Sequence, residues 1–336
     1  MDQASTLRRI VEKNRARESG QTSSLRPSPP PEVRRPPRLP ERTHMPGQPR
    51  VIAVSSGKGG VGKTNTAVNL SLALSRMKRR VMLLDADMGL ANVDVLLGLT
   101  PAHTLEHVLD GSRDISEVIL EGPLGLRILP SASGISEMSE LSPEEQTRLF
   151  QELSRIDTEV DYLFIDTGAG ISSNVLRFNA AADEVCVVVN PEPTSLTDAY
   201  ALIKLLAGKH GVRRFSLVAN QVASEPDGRA VFERLEKACS QFIQVQLNYL
   251  GCVPFDPAIR KAVRQQRALM DLYPYAPAAK ALARIANRLD KTLFRGRGPV
   301  SSYPPSPLSG ARSTRDSRNP QPAPFWDRLL HWKKLR

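Results

Sequence analysis

Eight consecutive residues, Gly57–Thr64, constrain the possible fold of this chain more than any other stretch. They follow the apolar run Val51–Val54, which predicts a buried strand, and they lead into a helical pattern over Lys63–Met77. They match G-x-x-x-x-G-K-[ST], in which a glycine-rich turn presents successive backbone N–H groups to an anion. We therefore predict a phosphate-binding loop. The alternative is a glycine-rich turn with two solvated lysines, which would leave its glycines without a purpose.

The residue types in this loop have separate tasks. The helix that begins at the turn directs its positive end at a bound phosphate. Lys63 supplies a point charge for the β- and γ-phosphates, and the hydroxyl of Thr64 suits Mg²⁺. The residues predicted to contact the nucleotide in this segment are Gly57, Lys58, Gly59, Gly60, Val61, Gly62, Lys63, Thr64 and Asn65.

Apolar runs alternate with helical patterns between residues 50 and 290. This alternation predicts an α/β fold with a doubly wound, mostly parallel sheet that is covered on both faces. The strand candidates are Val51–Val54, Arg80–Leu84, Leu126–Leu129, Tyr162–Ile165, Glu184–Val189, Ser216–Ala219 and Val245–Gly251. Ligands of such folds bind beyond the carboxyl ends of the strands, so residues directly after these runs are the site candidates.

Three aspartates and one asparagine stand at such strand ends. Asp85 and Asp87 follow the second strand candidate, and Asp166 follows the fourth. Carboxylates there can hold Mg²⁺ or orient a water at the γ-phosphate, although a polar strand-to-loop turn would have the same composition. Asn220 follows Ser216–Ala219 and is positioned to bond a base, but asparagine is also a common turn residue, so both interpretations stay open.

The net charge of +11 belongs to the two ends of the chain. Residues 1–49 carry ten Lys/Arg and five Asp/Glu, residues 291–336 carry ten and two, and residues 50–290 carry 26 and 28. Basic tails suggest an anionic membrane surface, nucleic acid or an acidic partner, whereas the near-neutral middle argues against direct DNA binding. Cys186, Cys239 and Cys252 have neither zinc nor disulfide spacing, which favours a reducing, cytoplasmic location.

Composition divides the chain into five parts. We predict an amphipathic N-terminal peptide over 1–18, a Pro-rich disordered linker over 19–49, the nucleotide-binding domain over 50–294, a second disordered linker over 295–324, and an amphipathic helix over 325–336. One face of the last helix carries Phe325, Trp326, Leu329, Leu330 and Trp332. Ringed amphipathic residues suit the headgroup boundary of a membrane, and a groove on a protein is the alternative.

These motifs resemble those of the MinD/ParA ATPases, whose deviant phosphate loop has an extra early lysine, as Lys58 stands here. The similarity covers roughly residues 50–290 and includes Asp85–Asn92, Phe164–Gly170, Asn190–Glu192 and Val253–Asp256. The resemblance implies ATP and Mg²⁺ as cofactors, and a homodimer that holds ATP between its two monomers. MinD proteins also end in a membrane-targeting helix.

The same resemblance implies a role for each matched residue. Lys58 would act on the partner's ATP, whereas Lys63 and Thr64 would act on the ATP of their own chain. Asp87 would position the hydrolytic water. The implied metal residues are Thr64, Asp85 and Asp166, and the implied adenine contacts are Asn220, Pro254 and Asp256.

The extreme N-terminus narrows the resemblance further. The peptide Asp2–Arg8 resembles the D-Q-A-x-x-L-R peptide of the FlhG/FleN family, which are MinD-like regulators of flagellar number. In that family the peptide stimulates the SRP-type GTPase FlhF, and Gln3 would be the implicated residue here. The partner-binding residues implied are Asp2, Gln3, Ala4, Leu7 and Arg8.

The family also implies flagellar switch-complex proteins and a flagellar transcription activator as partners. It implies reversible attachment to the inner face of the cell membrane near the flagellated pole. Two alternatives are a ParA-like ATPase that positions DNA or protein clusters, and a metal-cluster carrier. The first would need a basic surface on the domain, and the second would need paired cysteines near the nucleotide motifs.

Overall fold

The computed structural model describes residues 48–87, 92–130, 151–155, 159–243, 245–294 and 324–330. All of them belong to the larger of two compact units of the chain, Arg38–Arg336. The predicted N-terminal peptide, nearly all of both predicted linkers, and Trp332 lie outside the described residues.

Within the described part of the chain, eight strands form one sheet. They are β1 (Arg50–Ser56), β2 (Val81–Ala86), β3 (Leu120–Glu121), β4 (Arg127–Leu129), β5 (Tyr162–Ala169), β6 (Glu184–Val189), β7 (Arg214–Val222) and β8 (Gln246–Pro254). Their order in the sheet is β3-β4-β2-β5-β1-β6-β7-β8, and only β3 and β4 pair antiparallel. The predicted α/β fold with a mostly parallel sheet is confirmed, and the two-residue edge strand β3 is the one strand that the apolar runs did not predict.

Helices connect the strands and cover both faces of the sheet. They are α1 (Lys63–Arg76), α2 (Val93–Leu97), α3 (Leu105–Leu109), α4 (Ile115–Val118), α5 (Ser173–Ala181), α6 (Pro193–His210), α7 (Glu225–Phe242), α8 (Pro257–Arg264), α9 (Leu269–Leu272), α10 (Pro277–Phe294) and α11 (Phe325–Leu330). Residues 151–155 are helical as well. No helix in the described ranges combines the length and the apolar character that crossing a bilayer requires.

The core is divided by the sheet because successive strand residues point to opposite faces. In β1, Ile52 and Val54 pack under α1 and α10, while Val51 and Ala53 pack on the other face. That strand is buried on both sides, which explains why it reads as a continuous apolar run.

The C-terminal helix α11 completes the layer on the Val51 side of the sheet. Phe325, Trp326 and Leu329 are each at most 3% exposed and share a core cluster with Phe178 of α5. The rings of Phe325 and Trp326 meet edge to face at 4.6 Å. Arg177 of α5 donates from Nε to the Leu329 carbonyl at 3.0 Å. Phe325, Trp326 and Leu329, three of the five side chains predicted to face a membrane, are therefore packed here against the domain itself.

Candidate functional site

The phosphate-loop segment joins β1 to α1, as the sequence predicts. Gly62 directly precedes α1 and has a φ of +87°, a conformation that side-chain-bearing residues rarely adopt. A Cβ at this position would lie 2.3 Å from Nδ2 of Asn220. That same nitrogen donates to the Val61 carbonyl at 2.8 Å. The end of β7 thus fixes the backbone of the loop from the side.

The start of the loop is fixed by α6. A Cβ on Gly57 would lie 2.2 Å from the carbonyl carbon of Asp198, so the two backbones approach as closely as only glycine permits. The loop and the N-terminal half of α6 are consequently one packed unit. Any residue at the beginning of α6 holds a fixed position relative to the phosphate site.

Lys63 and Asp166 form a buried ion pair at the base of the loop. Their Nζ and Oδ1 atoms are 2.8 Å apart, and the side chains are 8% and 0% exposed. Burial raises the pKa of Asp166, and the Lys63 ammonium opposes that effect. The second oxygen of Asp166, Oδ2, is buried and has no hydrogen-bond partner among the described residues.

The oxygens near this pair fit a hard divalent cation. The Asp166 Oδ2 atom is an unpaired carboxylate oxygen, and Lys63 Nζ lies 3.5 Å from the hydroxyl of Thr64, which places that hydroxyl beside the pair. Mg²⁺ prefers such oxygens and usually keeps several of its waters. Asp166 and Thr64 would hold such an ion, and their predicted role as metal ligands stays a prediction.

Asp85 lies next to Asp166 across the β2–β5 register, but its carboxylate is used differently. It accepts backbone N–H bonds from Asp87 at 3.1 Å, from Asn92 at 3.0 Å and from Val93 at 3.1 Å. Burial raises its pKa to about 6, although these bonds oppose the shift. Asp85 therefore holds the ends of the segment between β2 and α2, and its predicted contribution to Mg²⁺ stays a prediction.

Asp87, the predicted water-positioning residue, is held at the rim of this site. Its Oδ2 accepts from Nδ2 of Asn92 at 3.2 Å. Its Oδ1 lies 3.4 Å from the point where a Cβ on Gly168 would stand. The carboxylate therefore lies close against Gly168, two residues after Asp166 near the end of β5.

The side chain of Lys58 reaches the start of α6. Its Nζ lies 2.9 Å from Oε2 of Glu192 and 3.1 Å from the hydroxyl of Thr194, and its side chain is 41% exposed. The ammonium lowers the pKa of Glu192. Glu192 belongs to the family motif Asn190–Glu192, but neither partner was predicted to have a role. Both follow the end of β6 within five residues, which is the region where site residues were expected.

The predicted adenine contacts have structural tasks in this structure. Asp256 accepts from the Ala258 N–H at 2.9 Å, which caps α8, and from the Ala278 N–H at 3.1 Å, which fixes the start of α10. Pro254 ends β8 two residues before Asp256. Asn220 keeps a buried, unpaired Oδ1 among the described residues and so retains an acceptor for a ligand amine. The adenine contacts stay a prediction, with Asn220 the best placed.

Comparison with known proteins agrees with this geometry. A family model described as an AAA domain matches residues 49–210. The antiactivator FleN of Pseudomonas aeruginosa is 52% identical over 241 residues, which cover 72% of this chain and 86% of that protein. The flagellum site-determining protein YlxH of Helicobacter pylori is 35% identical over 74% of this chain and 85% of its own. The chain belongs to the FleN/FlhG family of MinD-like P-loop ATPases.

A solved structure extends this family relationship to the fold. MinD of Pyrococcus horikoshii, complexed with Mg-ADP, superposes with a TM-score of 0.58 at 25% identity and covers 74% of this chain and 98% of that one. This chain thus has the MinD fold, and that MinD structure contains bound Mg-ADP. The described site of this family member has the parts that nucleotide use requires: a phosphate loop, a buried Lys63–Asp166 pair and an exposed second lysine.

Proposed function

We propose that this chain is an ATP-dependent dimerising switch that controls the number and placement of flagella. Its relatives are an antiactivator, FleN, and a flagellum site-determining protein, YlxH. The observation that carries the proposal is the combination of a complete phosphate loop with a second lysine in the same loop, Lys58, whose ammonium forms an exposed ion pair with Glu192. The switch binds ATP, dimerises, and returns to the monomer after slow hydrolysis to ADP and phosphate.

The chain's own residues divide the hydrolysis between them. The loop N–H groups and Lys63 hold the phosphates, and Thr64 and Asp166 hold the magnesium ion. Bound Mg²⁺ supplies neutralisation of the phosphate charge. Asp87 orients the attacking water, and Asn92 holds the Asp87 carboxylate in place.

Dimerisation follows from charge and exposure. ATP places several negative charges at a surface that two copies would share, and this charge repels unless cations enter the interface. Lys58 is available for that task because its pair with Glu192 is exposed, and exposed ion pairs are easily exchanged for others. Dimer formation should therefore require the γ-phosphate.

Asp87→Ala tests the switch. The variant should bind ATP, dimerise and stay dimeric, because the water is no longer oriented, whereas the parent chain returns to the monomer as ATP is consumed. Sedimentation and phosphate release measure the two steps. Asp94→Ala, on the neighbouring helix α2, is the matched control. Unchanged hydrolysis in Asp87→Ala would refute the assignment.

Membrane attachment is the second part of the proposal. Docking on the domain and insertion into a lipid surface both use Phe325, Trp326 and Leu329, so one helix cannot do both. Each large apolar side chain gains ~1.5–3 kcal/mol on full burial, so the helix needs an apolar surface in either state. We propose that the ATP dimer frees α11, and that two such helices on one dimer bind an anionic inner membrane surface together.

Flotation with anionic vesicles tests this part. The ATP-loaded Asp87→Ala dimer should float, and the nucleotide-free chain should not. Trp326→Ala should reduce flotation of the dimer, whereas Phe242→Ala, an exposed aromatic of α7, should leave it unchanged. Equal flotation in both nucleotide states would refute nucleotide control of attachment.

The N-terminal peptide is the third part. It lies outside the described residues, and the proposal rests on Asp2, Gln3, Ala4, Leu7 and Arg8 matching the family pattern. We propose that it stimulates an SRP-type GTPase of the FlhF kind. Gln3→Ala should remove the stimulation by the full chain and by a peptide of residues 1–18, and Thr6→Ala, at an unspecified position of the pattern, should keep it.

Further flagellar partners come from the same family relationship: switch-complex proteins and a flagellar transcription activator, met at the inner membrane face near the flagellated pole. A ParA-like role in positioning DNA or protein clusters is the alternative. Salt-dependent DNA retention by residues 50–290 would favour that alternative, although their 26 basic and 28 acidic residues argue against it.

A further inference from the structure

Helix α5 lies between the ends of β1 and β5, which carry the candidate nucleotide site, and the docked helix α11. Strand β5 carries Asp166 near its end, and only Gly170–Ser172 separate that strand from α5. The Gly170 N–H also donates to the Ser56 carbonyl at 2.9 Å, which ties this connection to the end of β1. A displacement of the end of β5, which follows Asp166, is therefore passed to the start of α5 through only three residues.

A buried chain of side-chain hydrogen bonds makes a second link between α5 and the site. The hydroxyls of Ser55 and Thr167 are 2.7 Å apart, and Asn179 of α5 donates from Nδ2 to the Ser55 hydroxyl at 2.9 Å. All three residues are fully buried. Ser55 stands two residues before the phosphate loop, and Thr167 directly follows Asp166, so Asn179 contacts β1 directly and is linked to β5 through the Ser55 hydroxyl.

The opposite side of the same helix holds α11. Arg177 is two positions from Asn179, so the two side chains leave α5 in different directions. Its Nε donates to the carbonyl of Leu329, near the end of α11, where helix carbonyls lack intrahelical partners and favour a cation. Burial lowers the pKa of Arg177, because desolvation disfavours the charged form of the guanidinium.

A second contact of α11 has no such route to the site. Arg328 donates to Asp183 at 2.7 Å, and Asp183 follows α5 and bonds the backbone of Val51 at the start of β1. That pair lies at the end of the sheet away from the phosphate loop. It strengthens docking without touching the residues that meet the nucleotide.

We propose that α5 couples the nucleotide site to the C-terminal helix, with Asn179 as its sensing residue and Arg177 as the latch that holds α11. The proposal rests on the proposed function, because it assumes that ATP releases α11. The Nδ2 atom of Asn179 also donates to the Val175 carbonyl of α5 at 2.7 Å, so a small rotation of α5 carries Asn179 with it and changes its bond to Ser55. The same rotation would move Arg177 away from the Leu329 carbonyl.

The test uses the only two tryptophans of the chain, Trp326 and Trp332. In the full-length Trp332→Phe background, emission and acrylamide quenching of Trp326 report docking without any membrane. In the parent, a non-hydrolysable ATP analogue with Mg²⁺ should shift emission to the red relative to ADP. Arg177→Ala should give that red-shifted emission already without nucleotide, and Arg177→Lys should give an intermediate value.

Asn179→Ala separates coupling from docking. It should bind the analogue and keep Trp326 shielded without nucleotide, but the analogue should no longer release it. Ser55→Ala breaks the same hydrogen bond from its β1 side. This variant tests the coupling if Asn179→Ala fails to fold. Arg328→Ala should loosen docking and keep the nucleotide response.

The possible failures are distinguishable. A parent chain whose Trp326 ignores the analogue would refute ATP-driven release, and with it this proposal. A parent that responds, with Asn179→Ala and Ser55→Ala responding equally at equal analogue binding, would overturn the coupling through α5 alone. An unchanged Trp326 signal in nucleotide-free Arg177→Ala would overturn the latch.

Discussion

The ammonium of Lys58 lies 2.9 Å from the carboxylate of Glu192 in the same chain. The two residues are held in this relation because Gly57 packs on the backbone of Asp198, which fixes the phosphate loop against α6. A lysine that is proposed to serve a partner's ATP is thus kept in a defined place by its own chain.

Glu192→Gln should strengthen dimerisation with a non-hydrolysable ATP analogue by at most about fivefold, because an exposed ion pair holds Lys58 only weakly. Lys58→Ala should abolish it. Sedimentation at several concentrations gives the dimer Kd. Thr194→Ala is the matched control, since it removes the 3.1 Å hydroxyl contact and leaves the charge. A dimer lost in Glu192→Gln would mean that Glu192 aims Lys58 at the partner instead of holding it back.

Gly62→Ala should lower ADP affinity by at least about tenfold. A side chain at a φ of +87° costs ~1–2 kcal/mol, and the new Cβ would also displace Asn220 from the Val61 carbonyl. Titration with a fluorescent ADP analogue measures the loss. Gly208→Ala in α6, where a Cβ meets no atom within 4 Å, should bind ADP like the parent.

Asn92→Ala should lower kcat by roughly tenfold and change the apparent KM for ATP little, because Asn92 orients Asp87 and the phosphate loop binds the nucleotide. Steady-state phosphate release over a range of ATP concentrations measures both. A raised KM with unchanged kcat would show that Asn92 acts on binding instead.

Asp85 should make the stability of the nucleotide-free protein depend on pH. Its folded-state pKa of about 6 lies above the ordinary 3.8, so the folded state binds the proton more tightly. The stabilisation of the folded state by this tighter proton binding is fully present below pH 3.8 and is lost as the pH rises through 6. Between pH 5 and 7.5 the free energy of unfolding should fall by ~1–2 kcal/mol relative to Asp85→Asn.

Urea unfolding of both proteins in EDTA measures this difference. Asp94→Asn, on the helix that Asp85 holds, is the control and should follow the parent at both pH values. A gap between the parent and Asp85→Asn that is the same at pH 5 and pH 7.5 would contradict the prediction.

The sequence was sufficient for the parts of the site that local patterns determine. Apolar runs identified the buried strands, and parallel strands bring their carboxyl ends to one edge, so Asp85 and Asp166 were expected together and are register neighbours. The phosphate loop could be predicted because the spacing of its glycines is typical of a turn whose backbone N–H groups bind a phosphate.

Two features could not be predicted in this way, for physical reasons. The Lys58–Glu192 contact joins residues 134 positions apart and depends on how α6 packs on the loop. An amphipathic pattern records that Phe325, Trp326 and Leu329 need an apolar surface, but it does not say which one. The structure supplies the surface of this chain's own sheet, and the membrane contact stays a prediction.

The 29 residues 295–323, which connect the domain to α11, bear on the free energy with which that helix docks. Composition predicts a disordered linker there, and for such a linker tethering sets only a local concentration, so that doubling its length would change the docking free energy by only about 0.6 kcal/mol. Insertions there should hardly change the docking free energy of α11, whereas a substitution of Arg177 or Trp326 should change it clearly. Natural variation in length and in composition can therefore accumulate between the domain and α11 without altering the nucleotide state in which α11 is released.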